Sequence, residues 1–296
     1  MVFIDGVGIG ADDPERNPFV KYGFKTFLEN FGTVPTLKNP ELTSNDIQLF
    51  PVDALMGVDG LPQSGTGQTS IFCGFNASQF IGKHFGPYPY STLVPLIKEK
   101  NIFIELKRLK KKVFFANAYP KVFFDYIDSG KKRLSVTSLS CILSNMKLNK
   151  SAEVRSGKAL TAEITNERWN KKLGYKLKII SPVVAAKRLV RISLKNHFTL
   201  FEYFLTDHLG HGRLEENFDS TFNEIDIFLK TLIEESKKNN FTLVICSDHG
   251  NLEDISVKTH TLNPALAITA GRYSEVLKKQ IKHLYDIKPA IISILK

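Results

Sequence analysis

Three short segments toward the C-terminal end place imidazole beside carboxylate: Asp207-His208-Leu209-Gly210-His211, Ser247-Asp248-His249-Gly250-Asn251 and Thr259-His260-Thr261. Two of them follow apolar runs, 198–205 and 241–246, that read as buried strands. Carboxylate and imidazole together suit a divalent cation, since imidazole takes zinc, manganese or iron and carboxylate takes harder ions. In open α/β sheets such groups gather outside the carboxyl ends of the strands. The N-terminal part adds matching pieces. Val2-Phe3-Ile4 is a short apolar strand ending in Asp5, followed by the glycine-punctuated run Gly6-Val7-Gly8-Ile9-Gly10. Farther on, Gly60 to Thr69 is a Gly/Ser/Thr-rich turn that runs into a helix. A helix N-terminus presents free N–H groups and a positive dipole end, which suits a phosphate. A hydroxyl there, Ser64 or Thr66, becomes a nucleophile once a metal or a base activates it.

Each residue also has an ordinary reading. Asp5 alone could be a turn or N-cap residue, and Asp207 with His211 could open a solvated helix. His208 reads as a surface or supporting residue. His84, His197 and His283 have no motif partner and read as structural or exposed. Asn251, Glu253 and Asp254 could orient ligands, although acids in loops are commonly just solvated.

The elements that must position these groups alternate between strand and helix. Strands are expected at 1–5, near 47–50, at 113–116, 198–205, 241–246 and 265–269. Helices are expected at 17–31, 64–75, 92–110, 134–146, 181–196, 213–239, 272–284 and 288–295. Pro182 would open the helix at 181–196, and the rigid aromatic loop Phe85 to Tyr90 should lie near the rim of the site. This alternation implies an α/β fold, a doubly wound, mostly parallel sheet with helices on both faces. One domain over 1–296 is expected. The stretch from about 120 to 185 would be a small cap or substrate-binding insertion, or the cap would be missing.

Composition bounds the class. The 296 residues are 43% hydrophobic and 24% charged, as in an ordinary globular protein. No apolar run is long enough to span a bilayer, and no signal peptide precedes the first strand. A cytoplasmic location without membrane partners is therefore the expectation. Cys73, Cys141 and Cys246 show no disulfide or C-x-x-C pattern. The net charge of +10 is concentrated partly in Lys107 to Lys112 and Lys131-Lys132-Arg133. The first cluster reads as a solvated helix face. No nucleic-acid motif accompanies the charge, so nucleic acid is not expected as a partner.

Taken in order, Phe3-Ile4-Asp5-Gly6, the Ser64 turn, Asp207-x-x-x-His211, Asp248-His249-Gly250-Asn251 and His260-Thr261-x-Asn263-Pro264 resemble the alkaline phosphatase superfamily. Within it they are most similar to the branch of cofactor-independent phosphoglycerate mutase and phosphopentomutase. The resemblance covers 1–75 and 198–272. It implies an alkaline-phosphatase-like sheet and two divalent ions, Mn²⁺ or Zn²⁺. One ion would be held by Asp207, His211 and His260, the other by Asp5, Asp248, His249 and the Ser64 hydroxyl. It also favours Ser64 over Thr66 as nucleophile, because Ser64 lies ten positions before Gly74. This chain departs from the mutases in carrying Gly65 and Gln68 where they have an acid and a histidine.

The expected activity is metal-dependent phosphoryl transfer on a small phosphate ester through a phosphoserine. Hydrolysis of a monoester or diester is favoured over a phosphomutase reaction, because a mutase must hold its dephosphorylated intermediate away from water. Arg133, Arg155 and Arg168 are candidates to clamp a substrate phosphate. Two rivals come from other classes. A dinucleotide-binding oxidoreductase would use Gly6, Gly8 and Gly10, but the spacing is wrong and Asp5 would face the pyrophosphate. A non-catalytic nucleic-acid-binding protein would use the positive charge and leave the ordered ligand set unexplained.

Overall fold

The computed structural model describes residues 1–131, 133–214 and 218–296. Its strands are β1 Val2–Ile4, β2 Leu42–Ser44, β3 Ile47–Val52, β4 Val113–Phe115, β5 Phe198–Tyr203, β6 Leu243–Cys246 and β7 Ala265–Ala270. They form one sheet in the order β2-β3-β7-β6-β1-β5-β4. Strands β6, β1, β5 and β4 are parallel neighbours. β7 runs against β6, β3 runs against β7, and β2 runs against β3. Five of the seven strands thus share one direction, giving the mostly parallel α/β sheet expected. The reversal of β7 was not expected. A parallel neighbour needs a crossover, usually a helix. The connection from β6 to β7 contains no helix and carries site residues instead.

Side chains alternate across the sheet, as the two-residue period of a strand requires. Val2, Ile4, Phe201, Tyr203, Leu243, Ile245 and Ile268 pack on one face, against the helices Lys25–Phe31, Pro182–Ser193 and Phe218–Asn239. Phe3, Phe198, Leu200, Val244, Cys246 and Ala267 pack on the other, against Ser64–Cys73, Val94–Lys100, Ile102–Arg108 and Ile287–Leu295. Both faces being covered explains the near-continuous apolar runs of the central strands. All three cysteines are buried and free.

Several expected elements are cut by local chemistry. The helix expected at 17–31 is two helices, Pro18–Tyr22 and Lys25–Phe31. Gly23 at φ 68° breaks it, which lets Phe24 pack at 5.1 Å from both Phe19 and Phe222. The helix expected at 92–110 breaks at Asn101, whose extended backbone and side-chain oxygen cap the next helix. The strand expected at 198–205 ends at Tyr203, and the chain turns into a short helix, Leu205–Gly210. Pro182 does open its helix, with Ser181 as N-cap. The helix expected at 213–239 is described from Phe218, so 215–217, and Lys132 of the second basic cluster, lie outside the described residues.

Residues 120–185 contribute the helices Lys121–Asp128, Val136–Leu143, Ser151–Arg155 and Glu167–Leu173. They are tied to the β4 edge. Ala118 N donates to Leu160 O at 2.7 Å, and the Asn149 amide donates to Phe115 O at 2.8 Å. Among the described residues no helix is long and apolar enough to cross a membrane.

Candidate functional site

Three adjacent parallel strands deliver the site. Asp5 follows β1, Asp248 and His249 follow β6, and Asp207 lies in the first turn of the helix after β5. His211 falls four residues after Asp207, so the two side chains share a helix face. His260 comes from the helix-free connection between β6 and β7. The carboxyl ends of these strands thus converge on two groups, Asp207/His211/His260 and Asp5/Asp248/His249, each with its ligand atoms within 4.8 Å of one another.

In the first group, Asp207 Oδ1 lies 3.3 Å from His211 Nε2 and 3.5 Å from His260 Nε2. In the second, His249 Nε2 lies 3.3 Å from Asp5 Oδ1 and 3.6 Å from Asp248 Oδ1. The groups adjoin: the His249 and His260 rings stack at 3.7 Å. Each imidazole is oriented through its other nitrogen. His211 Nδ1 is 2.7 Å from Lys258 O, His260 Nδ1 2.6 Å from Pro62 O, and His249 Nδ1 3.3 Å from Gly250 O. A carbonyl only accepts, so Nδ1 must be the protonated donor, which leaves every Nε2 lone pair aimed into its cluster.

These residues fit divalent cations. Asp5 Oδ1 and Asp248 Oδ2 are buried with no hydrogen-bond partner, a costly arrangement unless a cation satisfies them. Burial, then the charges of Asp248, Asp207 and Glu202, holds Asp5 well above the ordinary carboxylate range, and cations placed there would reverse that repulsion. Burial also lowers His211, favouring the neutral imidazole that ligates metal. The donor set is nitrogen and oxygen without thiolate, which suits zinc or manganese.

Ser64 opens the helix Ser64–Cys73, and its Oγ lies 3.0 Å from His249 Nε2. Thr66 points elsewhere. Its hydroxyl donates to Gln63 O at 3.1 Å and accepts from Phe85 N at 3.2 Å. The aromatic loop is seated on this first turn. Phe85 O takes the Thr66 N–H at 2.9 Å, and a Cβ on Gly65 would come within 2.2 Å of Tyr88 O. One of the N–H groups expected to be free for phosphate is therefore already used. Gln68 donates to Asp5 Oδ2 at 3.3 Å.

The remaining candidates separate. His208 packs its ring 5.5 Å from Phe204. His84 bonds Ser78 and Val58, His197 accepts from Lys112 N, and His283 pairs with Asp286. Arg168 lies within electrostatic reach of Tyr203 and His208. Arg155 touches Ser151, and Arg133 is exposed between two helices; neither is in the clusters.

Sequence reasoning left out Glu202 and Thr137, and it left Glu253 open. Glu202 is buried on β5 and takes a very short hydrogen bond from Thr137 Oγ1. Burial pushes its carboxyl up to about 7, opposed by the Thr137 bond and helped by the charge of Asp248. A raised folded pKa gives stability that is whole below the ordinary value of 4.5 and is lost as pH rises through about 7. In chelator-treated protein, wild type should therefore lose about 2–3 kcal/mol relative to Glu202→Gln between roughly pH 5 and pH 9. Urea unfolding of both proteins checks this. A pH-independent difference would mean that Glu202 is already ionised in the fold.

Comparison with known proteins agrees with the geometry. The Metalloenzyme superfamily model matches residues 178–296, which include Asp207, His211, Asp248, His249 and His260. The 2,3-bisphosphoglycerate-independent phosphoglycerate mutase of Mycoplasmopsis pulmonis is 29% identical over 124 residues, 38% of this chain and 24% of that protein. The enzyme of the same name from Ehrlichia canis is 30% identical over 125 residues, 40% of this chain and 24% of that protein. Over this part the chain is similar to metalloenzymes of the alkaline phosphatase superfamily. Solved superfamily structures share its fold. Alkaline phosphatase from the Antarctic bacterium TAB5 superposes with a TM-score of 0.51 at 12% identity, covering 99% of this chain and 97% of that one. A cold-active alkaline phosphatase from Shewanella sp. gives 0.55 at 10% identity, covering 100% and 99%. The chain spans about a quarter of the length of the curated mutases it matches.

Proposed function

We propose that the protein is a divalent-metal-dependent phosphoryl-transfer enzyme that acts on a small phosphate ester with Ser64 as nucleophile. The observation that carries this reading is the Ser64 hydroxyl at the start of its helix, 3.0 Å from His249 Nε2 where the two clusters adjoin. Asp207, His211 and His260 would hold one cation, and Asp5, Asp248, His249 and Ser64 Oγ the other, as Mn²⁺ or Zn²⁺. Such ions supply Lewis acidity and lower the pKa of a bound hydroxyl.

Ser64 gives up its proton and attacks phosphorus. The Oγ–P bond forms as the bond to the alcohol oxygen breaks, and that oxygen leaves with a proton. In the second half, water attacks phosphorus, the Oγ–P bond breaks, and Ser64 recovers its proton. Arg168, whose charge is felt at His208, is the one of the three arginines we assign to meet a substrate anion.

Hydrolysis is favoured over mutase chemistry, and the bonding of residues 120–185 supports it. That stretch is hydrogen-bonded into the β4 edge through Leu160 and Asn149, and its Val136, Cys141, Leu148, Leu160 and Ile164 pack into the two cores that cover the sheet. We read it as part of the one domain rather than as a separate cap able to trap an intermediate. The mutase reading keeps its support from the curated relatives.

Metal-stripped protein is expected to be inactive on p-nitrophenyl phosphate and its bis ester, with turnover restored by Mn²⁺ or Zn²⁺. Two bound ions without hydrolysis of either ester would favour the mutase reading. No metal binding would overturn the proposal.

A further inference from the structure

Cations without an acid line one groove at the amino end of the sheet. The groove has a volume of 570 Å³, and Lys112, Lys158, Arg191 and Lys195 line it together with Phe114 and Ile192. Three separate stretches supply the charge. Lys112 immediately precedes β4, Lys158 follows the helix Ser151–Arg155, and Arg191 and Lys195 lie at the end of the helix Pro182–Ser193. Among the described residues none of the four makes an ion pair. Other surface lysines do: Lys121 with Asp125, Lys147 with Glu153, Lys230 with Glu29 and Lys279 with Glu275.

Each cation has an ordinary reason to stand where it does. Lysine blunts an edge strand such as β4, and cations suit a helix C-terminus. Neither reason gathers them around one cavity without a counter-charge, where they repel one another. The arrangement is also fixed. Arg191 Nη2 donates to Gly157 O at 2.9 Å. Gly157 has φ 67°, and a Cβ there would lie 2.9 Å from the same nitrogen. Arg188, one turn before Arg191, donates to Val154 O at 3.2 Å and to Ala159 O at 3.4 Å, and adds a further positive charge.

Charge density decides what fits. A groove of 570 Å³ falls in the range of small-molecule sites, about 300–1,000 Å³. An extended acidic peptide presents one side chain about every 7 Å on a given face, too sparse to neutralise cations gathered in that space. A phosphate monoester carries about −1.5 to −2 at neutral pH, so two such groups match the four cations. We propose that this groove binds a small molecule carrying two phosphate groups, at a site separate from the two clusters. The groove adjoins the start of β4, and Asp207 follows the far end of β5, whose six residues span about 20 Å. The site therefore stands whether or not the phosphoryl-transfer reading holds.

Chelator-treated protein isolates the groove, because clusters without cations offer a phosphate no counter-charge. Calorimetric titration at low ionic strength with pyrophosphate is expected to show one site per chain, bound about tenfold tighter than inorganic phosphate or citrate. The Lys158→Gln, Lys195→Gln double variant should weaken it about tenfold. Lys98 and Lys237 are exposed and do not line the groove. Replacing both by Gln removes equal charge and should leave affinity within about twofold. Equal losses in the two double variants would reduce the binding to diffuse surface charge and overturn the site. Citrate bound as tightly as pyrophosphate overturns the phosphate assignment. Tighter binding of an oligoglutamate or a short single-stranded oligodeoxynucleotide points to an extended partner and overturns the compact ligand. No binding of pyrophosphate overturns the proposal and leaves phosphoryl transfer untouched.

Discussion

Ser64→Ala is expected to lower kcat/KM for phosphate esters by roughly a thousandfold or more and to eliminate any covalent phosphoenzyme. The reason is positional. Ser64 is the hydroxyl in its turn that faces the clusters, and its Oγ is 3.0 Å from His249 Nε2. Thr66 and Thr69 spend their hydroxyls on the carbonyls of Gln63 and Gly65. Thr66→Ala should therefore still form the phosphoenzyme, even though it loosens the Phe85 loop by removing the acceptor of the Phe85 N–H. Trapping with labelled ester at acid quench, followed by intact-mass analysis, reads both variants directly. A phosphoenzyme that persists in Ser64→Ala and disappears in Thr66→Ala would move the nucleophile two residues along and sink the present assignment. Cation affinity measured in parallel separates a lost nucleophile from a lost ligand. Removing one hydroxyl from a cluster that keeps Asp5, Asp248 and His249 should weaken binding far less than it weakens turnover.

The parts of this site that could be read from sequence are those whose chemistry is local. Asp248-His249 and Asp207-x-x-x-His211 stand directly behind apolar runs, so side-chain type and strand end coincide within a few residues. The Ser64 helix announces itself by small and hydroxylated residues and closes at Gly74, which adopts φ 70°. The parts that could not be read are set by distant partners. Nothing near Leu266 says that β7 will run against β6, because direction depends on how the intervening loop folds. The apolar run 198–205 cannot show where strand becomes helix, since short buried strands and helices look alike. Thr137 meets Glu202 across 65 residues, and no spacing rule links them. The splits at Gly23 and Asn101 carry local signals, a glycine and a capping asparagine, that helical periodicity outweighs when read alone.

Glu253 makes the same point and carries the second large expectation. Only 1% exposed, it sits four residues after His249. Its Oε2 accepts from the Gly8 and Asn251 N–H groups, both at 2.8 Å. Its Oε1 accepts from Thr261 Oγ at 2.5 Å and from the Asn263 amide at 3.1 Å. The three loops joined in this way carry Asp5, His249 and His260. Asn251 in turn donates to Asp207 Oδ1 at 2.7 Å, so one carboxylate braces both clusters. Three glycines exist to let it in: a Cβ would come within 2.7 Å of the Glu253 carboxyl from Gly8, within 2.6 Å of its carbonyl from Gly10 and within 2.2 Å of Oε1 from Gly250. Glu253→Gln preserves the shape but turns an NH₂ toward a cup lined by donors, which leaves polar groups facing each other unpaired. Cation affinity is expected to fall about 10–100-fold, with Asp207, His211 and His260 affected together with Asp5, Asp248 and His249. Gly250→Ala, which displaces the same carboxylate from the other side, should shift affinity in the same direction. Titration of both clusters well below the melting temperature distinguishes this from loss of the fold. A variant that melts earlier yet binds both ions as tightly as wild type would reduce Glu253 to a structural brace, and the spacing of the clusters would then have to come from the strand ends alone.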